Sequence, residues 1–157
     1  MLQGDRLLRM WPAPALPGAG NSNGRLLPVS SAAWTNSVGP LKKVKILNQT
    51  RGCTLGDAIE RADTSETRRV GLLKRSGLDK GQGLWIVPCE GIHTFFMKFA
   101  IDVVFLNRQR RVVKVVRRMP PWRLAMNLRA RSVVELPPGT IESTGTAVGD
   151  VLEVVQS

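Results

Sequence analysis

Four side chains with chemical potential lie close together in the chain: Cys89, His93, Met97 and Asp102. Cys89, His93 and Met97 are spaced by four, so an extended backbone would present all three on one face. Thiolate, imidazole and thioether are soft donors suited to Cu(I) or zinc. Four residues of strand cover about 13 Å, however, too far for neighbours to share one ion. A metal set of Cys89, His93 and Met97 therefore requires a turn around Gly91. The plainer use of the same residues is packing, with Phe96 and Met97 in the core and His93 bonded to backbone.

A nucleophile is the second chemistry. Cys89 would have to lie within hydrogen-bond reach of His93, with Asp102 orienting the ring. His93 is the only histidine of the chain, so any imidazole mechanism depends on it. No recognised nucleophile motif or oxyanion loop surrounds Cys89, and small thiols are commonly inert packing. Asp102 opens an apolar strand, where a carboxylate is costly unless hydrogen-bonded. It can cap a loop or accept from Trp122 or an arginine. The leading expectation is a non-catalytic binding module for a small ligand or metal. Its pocket would be formed by His93, Thr94, Met97, Asp102 and Trp122. The residues name neither a cofactor nor a partner.

Charge supplies the third reading. The 157-residue chain carries a formal +11. Arg108, Arg110, Arg111, Lys114, Arg117, Arg118, Arg123, Arg129 and Arg131 follow one another with no acidic residue between them. Such a run supports weak, salt-dependent binding of polyanions, including nucleic acid. The few aromatics form no base-stacking platform, and a solvated basic face is the alternative.

The elements that must position these residues read as strands. Val44–Leu47, Leu84–Val87, Val133–Leu136 and Val151–Val155 are short apolar runs bounded by turn residues. Ile101–Leu106 and Val112–Val116 flank Asn107 to Arg111 as a hairpin. Leu124, Met126 and Leu128 alternate with Arg123, Ala125, Asn127 and Arg129, which predicts a half-exposed strand. Asp63-Thr64-Ser65-Glu66 has the form of a capping box, predicting a helix through Arg68, Val70 and Leu73 that ends at Gly77. The fold class is mainly β, a compact sandwich or partly closed barrel with one short helix. Two cysteines allow at most one bridge, so no disulfide framework holds it.

Residues 1–40 differ in composition, as in Pro17-Gly18-Ala19-Gly20-Asn21-Ser22-Asn23-Gly24. They are expected to be a disordered Pro/Gly-rich extension preceding one β-rich domain at 41–157. No stretch reaches the ~20 apolar residues of a membrane-spanning helix. No signal-peptide core follows Arg6 and Arg9, so a cytoplasmic location is expected.

The order of motifs resembles domain of unknown function family 192. Gly83-Leu84, Cys89 and the run Ile92-His93-Thr94-Phe95-Phe96-Met97-Lys98-Phe99-Ala100-Ile101-Asp102 carry the likeness. Pro121-Trp122-Arg123, Glu135-Leu136-Pro137, Gly139 and Gly149-Asp150 follow in sequence. Ala62-Asp63-Thr64, Arg69 and Gly71-Leu72 look like the family's opening. The resemblance spans roughly 44–155 and implies a mainly β, sandwich-like fold, with no established activity. Gln109 or Arg110 stands where the family often has glycine, and Pro138 where a small residue is usual.

Overall fold

The computed structural model describes residues 41–156. In chain order they form β1 (Lys43–Asn48), β2 (Cys53–Ala62), α1 (Ser65–Val70), β3 (Gln82–Ile86), β4 (Gly91–His93) and β5 (Ile101–Leu106). Then come β6 (Val112–Met119), β7 (Leu124–Met126), β8 (Ser132–Leu136), α2 (Thr140–Thr144) and β9 (Leu152–Gln156). Seven strands make one sheet in the order β6-β5-β8-β3-β2-β1-β9, and β4 pairs with β7 in a small second sheet. All pairings are antiparallel except β2 with β3. The outermost strands approach each other where Arg111 bridges Val151, so the large sheet curls into a half-barrel. The mainly β, partly closed architecture is the expected one.

Period-two alternation on the central strands divides the core into two clusters. Ile101, Val103 and Phe105 of β5 point into one cluster; Val104 and Leu106 point into the other. The second cluster unites Val112 of β6 with Leu152 of β9, residues from opposite ends of the strand order. It therefore fills the concave side, and Ile141 of α2 packs into it. The first cluster covers the convex side, where Ile92 of β4 and Ala125 of β7 lay the small sheet against it.

Local chemistry sets the element ends. Asn107 Oδ1 accepts from Gln109 N and Arg111 N, at 3.0 and 2.9 Å, and so closes the β5–β6 turn. Arg110 occupies φ 57° there, a conformation that glycine takes more readily. Between β1, β9 and the α2–β9 connection lies a buried polar cluster. Asp150 Oδ2 accepts from Asn48 Nδ2 (2.9 Å), Ala147 N (2.9 Å) and Arg51 Nε (2.8 Å). The Arg51 hydrogen bond is the main reason that the Asp150 carboxyl is held down at about 2.

Three expectations are corrected. The first helix begins one residue later, with Thr64 rather than Asp63 as N-cap, because Thr67 returns the capping bond through its hydroxyl. It stops at Val70 instead of running to Gly77, since Gly71 at φ 47° takes the chain out of the helix. A second helix, α2, is present; Gly139 starts it in a left-handed conformation and no side chain of its own segment caps it. The extension at 1–40 lies outside the described residues.

Candidate binding surface

Asp102 is wholly buried and lies away from the other candidate residues. It alternates with Ile101 and Val103, so its side chain shares the concave side with Val104 and Leu106. Opposite it, β6 places two residues, Arg117 and Arg118, between the pairs Ile101–Met119 and Val103–Val116. This is a β-bulge, with Arg118 at φ 47°. Asp102 Oδ1 accepts from Arg118 N and Oδ2 from Ile141 N, both at 2.8 Å. One carboxylate thus pins the bulge and supplies the cap that α2 lacks locally.

The remaining five candidates sit on the convex side, some in the interior and some at the surface. Thr94 is fully buried and stitches two loops together. Its hydroxyl donates to Pro120 O at 2.7 Å and accepts from Arg123 N at 3.0 Å. Its backbone N donates to Arg123 O (2.9 Å), and its carbonyl accepts from Trp122 N (3.0 Å) and Met97 N (3.2 Å). Met97 is buried in the convex cluster, and Cys89 packs against that cluster with its thiol donating to Gly91 O at 3.1 Å. His93 faces outward instead, its ring stacked on Phe95 at 5.3 Å. The proposed metal set is thus divided between interior and surface. Among the described residues, no three His, Cys, Asp or Glu side chains gather as a metal site. Burial pushes the Cys89 thiol above its ordinary value, the reverse of what an activated nucleophile needs.

What the loops bring together is an apolar surface. Phe95 and Trp122 rings lie 5.8 Å apart, and Phe96 meets Trp122 edge-on at 4.7 Å. His93 pairs across the small sheet with Leu124, and Gly91 with Met126. The half-exposed strand is present only as Leu124–Met126, with Leu128 in the turn that follows, and its exposed half is the apolar one. Ala125 is buried, while Leu124 is 72%, Met126 62% and Leu128 78% exposed. Trp122 at 55% continues the stripe at the same spacing of two, and Phe96 at 70% stands beside it. The β4–β7 sheet buries the side that carries Ile92 and Ala125, which pack on the convex cluster, and leaves Gly91, His93, Leu124 and Met126 on the outside. Contiguous exposure of this kind marks a contact surface rather than ordinary scatter.

The backbone is strained to produce it. Phe96 at φ 66° and Trp122 at φ 63° are bulky residues in the left-handed region. Such conformations cost about 1–3 kcal/mol each and persist only where surrounding bonds impose them. The Thr94 bonds to Trp122 N and Met97 N impose them here.

Two further groups bear on the site. Glu135 is buried on β8, its Oε2 without a hydrogen-bond partner. It alternates with Val134 and Leu136 and so points toward the convex cluster. Burial raises its carboxyl to about 8. The sequence signal was a lone acid inside the apolar run Val133–Leu136. The basic run is spread out. Arg108 and Arg110 border a shallow depression at the β5–β6 turn, whereas Arg111 and Arg129 flank an open groove of about 510 Å³ beside Leu128 and Val148. Lys114 is drawn in, donating to Met126 O at 3.1 Å.

With this geometry in view, the likeness to known proteins is specific. The family model DUF192, described as "Uncharacterized ACR", matches residues 46–154. A UPF0127 protein of Pyrococcus furiosus is 35% identical over 114 residues, covering 69% of this chain and 96% of the relative. Another of Thermococcus gammatolerans is 36% identical over 115 residues, covering 68% and 72%. Among solved structures, a Novosphingobium aromaticivorans protein of unknown function superposes with a TM-score of 0.62 at 22% identity, over 70% of this chain and 82% of that one. That likeness establishes shared fold alone. No helix among the described residues is long and apolar enough to cross a membrane. The chain belongs to the uncharacterised DUF192 family, whose curated relatives carry the name UPF0127.

Proposed function

We propose that this chain is a non-catalytic binding module whose contact surface is the stripe Trp122, Leu124, Met126 and Leu128, with His93 and Phe96 beside it. The observation that carries the reading is that four large apolar side chains, spaced by two, are each more than half exposed. Within this reading the earlier candidates take different parts. His93 and Trp122 meet the ligand, Thr94 and Met97 position the loops, and Asp102 acts at a distance by holding the β6 bulge and α2. A Cys89–His93 nucleophile gains no support, since the thiol is turned to Gly91 O and the imidazole to Phe95.

The test uses an apolar reporter, anilinonaphthalene sulfonate, titrated into the full chain. Saturable fluorescence enhancement is expected, with most of it lost in a Leu124→Ser/Met126→Ser double variant of unchanged circular dichroism. An identical titration curve for the variant would show that the stripe is not a binding surface.

A further inference from the structure

The partner of this surface can be read from what surrounds it. Between Gly91 and Val134 the sequence has ten Lys and Arg residues and a single acid, Asp102. Asp102 is buried and bonded, so it offers no negative charge to a partner. Arg123 interrupts the stripe, Arg129 follows its last residue, Lys98 follows the Phe95–Phe96 loop, and all three are exposed. One exposed acid, Glu90, adjoins the stripe, its carbonyl accepting from Asn127 N at 2.8 Å. The surface is therefore apolar in the middle with a net cationic border, three basic side chains against Glu90.

We propose that the Trp122–Leu128 stripe docks this protein on the surface of an anionic phospholipid bilayer. The proposal rests on the reading of the stripe as a binding surface and names its partner. Four features favour lipid. Trp and Phe are side chains that settle at the bilayer interface, with an amphipathic or flat ring at headgroup depth. Leu and Met beside them reach into the acyl boundary, as the apolar face of an interfacial element does. Arginines at the same level meet lipid phosphates, and juxtaposed basic residues strengthen binding to anionic leaflets. Finally, Leu124 and Met126 project from the outward face of the two-stranded sheet, with Trp122 and Leu128 on the loops at its ends, which suits a broad surface rather than a peptide needing a groove.

The competing occupants fit less well. A second copy would bring one cationic border, Arg123, Arg129 and Lys98, against another, and like charges across an interface oppose association. Nucleic acid would satisfy the arginines but leave Leu124, Met126 and Leu128 facing phosphates, with no base stacked on them.

The experiment is co-sedimentation of the full chain with vesicles of phosphatidylcholine alone and with vesicles in which about a third of the lipid is phosphatidylglycerol. Binding to the anionic vesicles is expected to be at least about tenfold tighter and to weaken with salt. Leu124→Ser/Leu128→Ser is expected to weaken it by about tenfold or more at unchanged circular dichroism. Arg123→Gln/Arg129→Gln is expected to weaken it by a similar factor and to flatten the salt dependence. Absence of wild-type binding to anionic vesicles overturns the proposal, and so does binding that the leucine variant leaves unchanged, which would be charge alone. If vesicles fail while the stripe still governs the apolar-reporter titration, the lipid partner falls and the binding surface stands. A stripe-dependent dimer in sedimentation velocity, or stripe-dependent oligonucleotide binding, in place of vesicle binding overturns it in favour of that occupant. If neither vesicles nor the reporter responds to the stripe, both readings fall.

Discussion

Replacing Glu135 by Gln should remove a loss of stability that the native protein suffers as pH rises from about 4.5 to about 8. The carboxyl is buried on β8 with Oε2 unpartnered, and burial lifts it from an ordinary 4.5 to about 8. Below pH 4.5 the group is protonated in both folded and unfolded chains, and its ionisation contributes nothing to the folding equilibrium. Above pH 4.5 the unfolded chain ionises while the folded one stays neutral, so each pH unit favours unfolding by about 1.4 kcal/mol. The loss continues to about pH 8, where the folded group ionises too, and then levels off. At pH 7 the gap is 7 minus 4.5, worth about 3 kcal/mol; the full shift from 4.5 to 8 is worth about 5 kcal/mol. Against a typical domain stability of about 5–15 kcal/mol this is a large share. The assay is urea unfolding followed by circular dichroism at pH 5, 6, 7 and 8, for wild type and Glu135→Gln. The difference between the two proteins cancels every other titrating group. Its expected form is a steady shift in favour of the variant of several kcal/mol across the series, on top of a pH-independent offset for burying the amide. Parallel curves across that range would refute the reasoning, because they would mean that Glu135 is as easily ionised folded as unfolded.

Two other outcomes test the assignments directly. In a Cys53→Ser background, Cys89 should react with iodoacetamide near neutral pH about threefold or more slower than free glutathione, since burial disfavours its thiolate; faster reaction would restore the nucleophile reading. Asp102→Ala should lower unfolding free energy by about 2–4 kcal/mol, because Arg118 N and Ile141 N lose a charged acceptor together, and Asp102→Asn by less. Denaturant midpoints for both variants close to wild type would show that the bulge and α2 hold without it.

Much of the frame was legible from residue pattern. The β5–β6 hairpin, β3, β8 and β9 each announce themselves as short runs of Val, Ile and Leu between turn residues, because β-branched side chains suit a pleated surface. Strand β2 was not legible. Its residues Cys53–Ala62 mix Gly, Asp, Glu, Arg and Ala, and it is a strand because β1 and β3 flank it and satisfy its backbone on both sides. Helix α2 was equally hidden, since the group that caps it is a carboxylate 39 positions earlier in the chain.

The same division separates the candidate site into two parts. Sequence alone determined that Cys89, His93, Thr94, Met97, Asp102 and Trp122 belong to the family-like segments and that the region is strongly basic. It also determined that residues 124–128 alternate in polarity. Only tertiary structure decided which of these residues share a surface. A strand's alternation says that two faces differ, not which one the core will take. Here Ile92 and Ala125 took the inward side of the small sheet, so Leu124 and Met126, with Leu128 in the turn beyond, were left outside. Alternation along β5 then put the Asp102 carboxylate on the concave side, where it holds the β6 bulge, and the bonds of Thr94 put the aromatic rings at the surface.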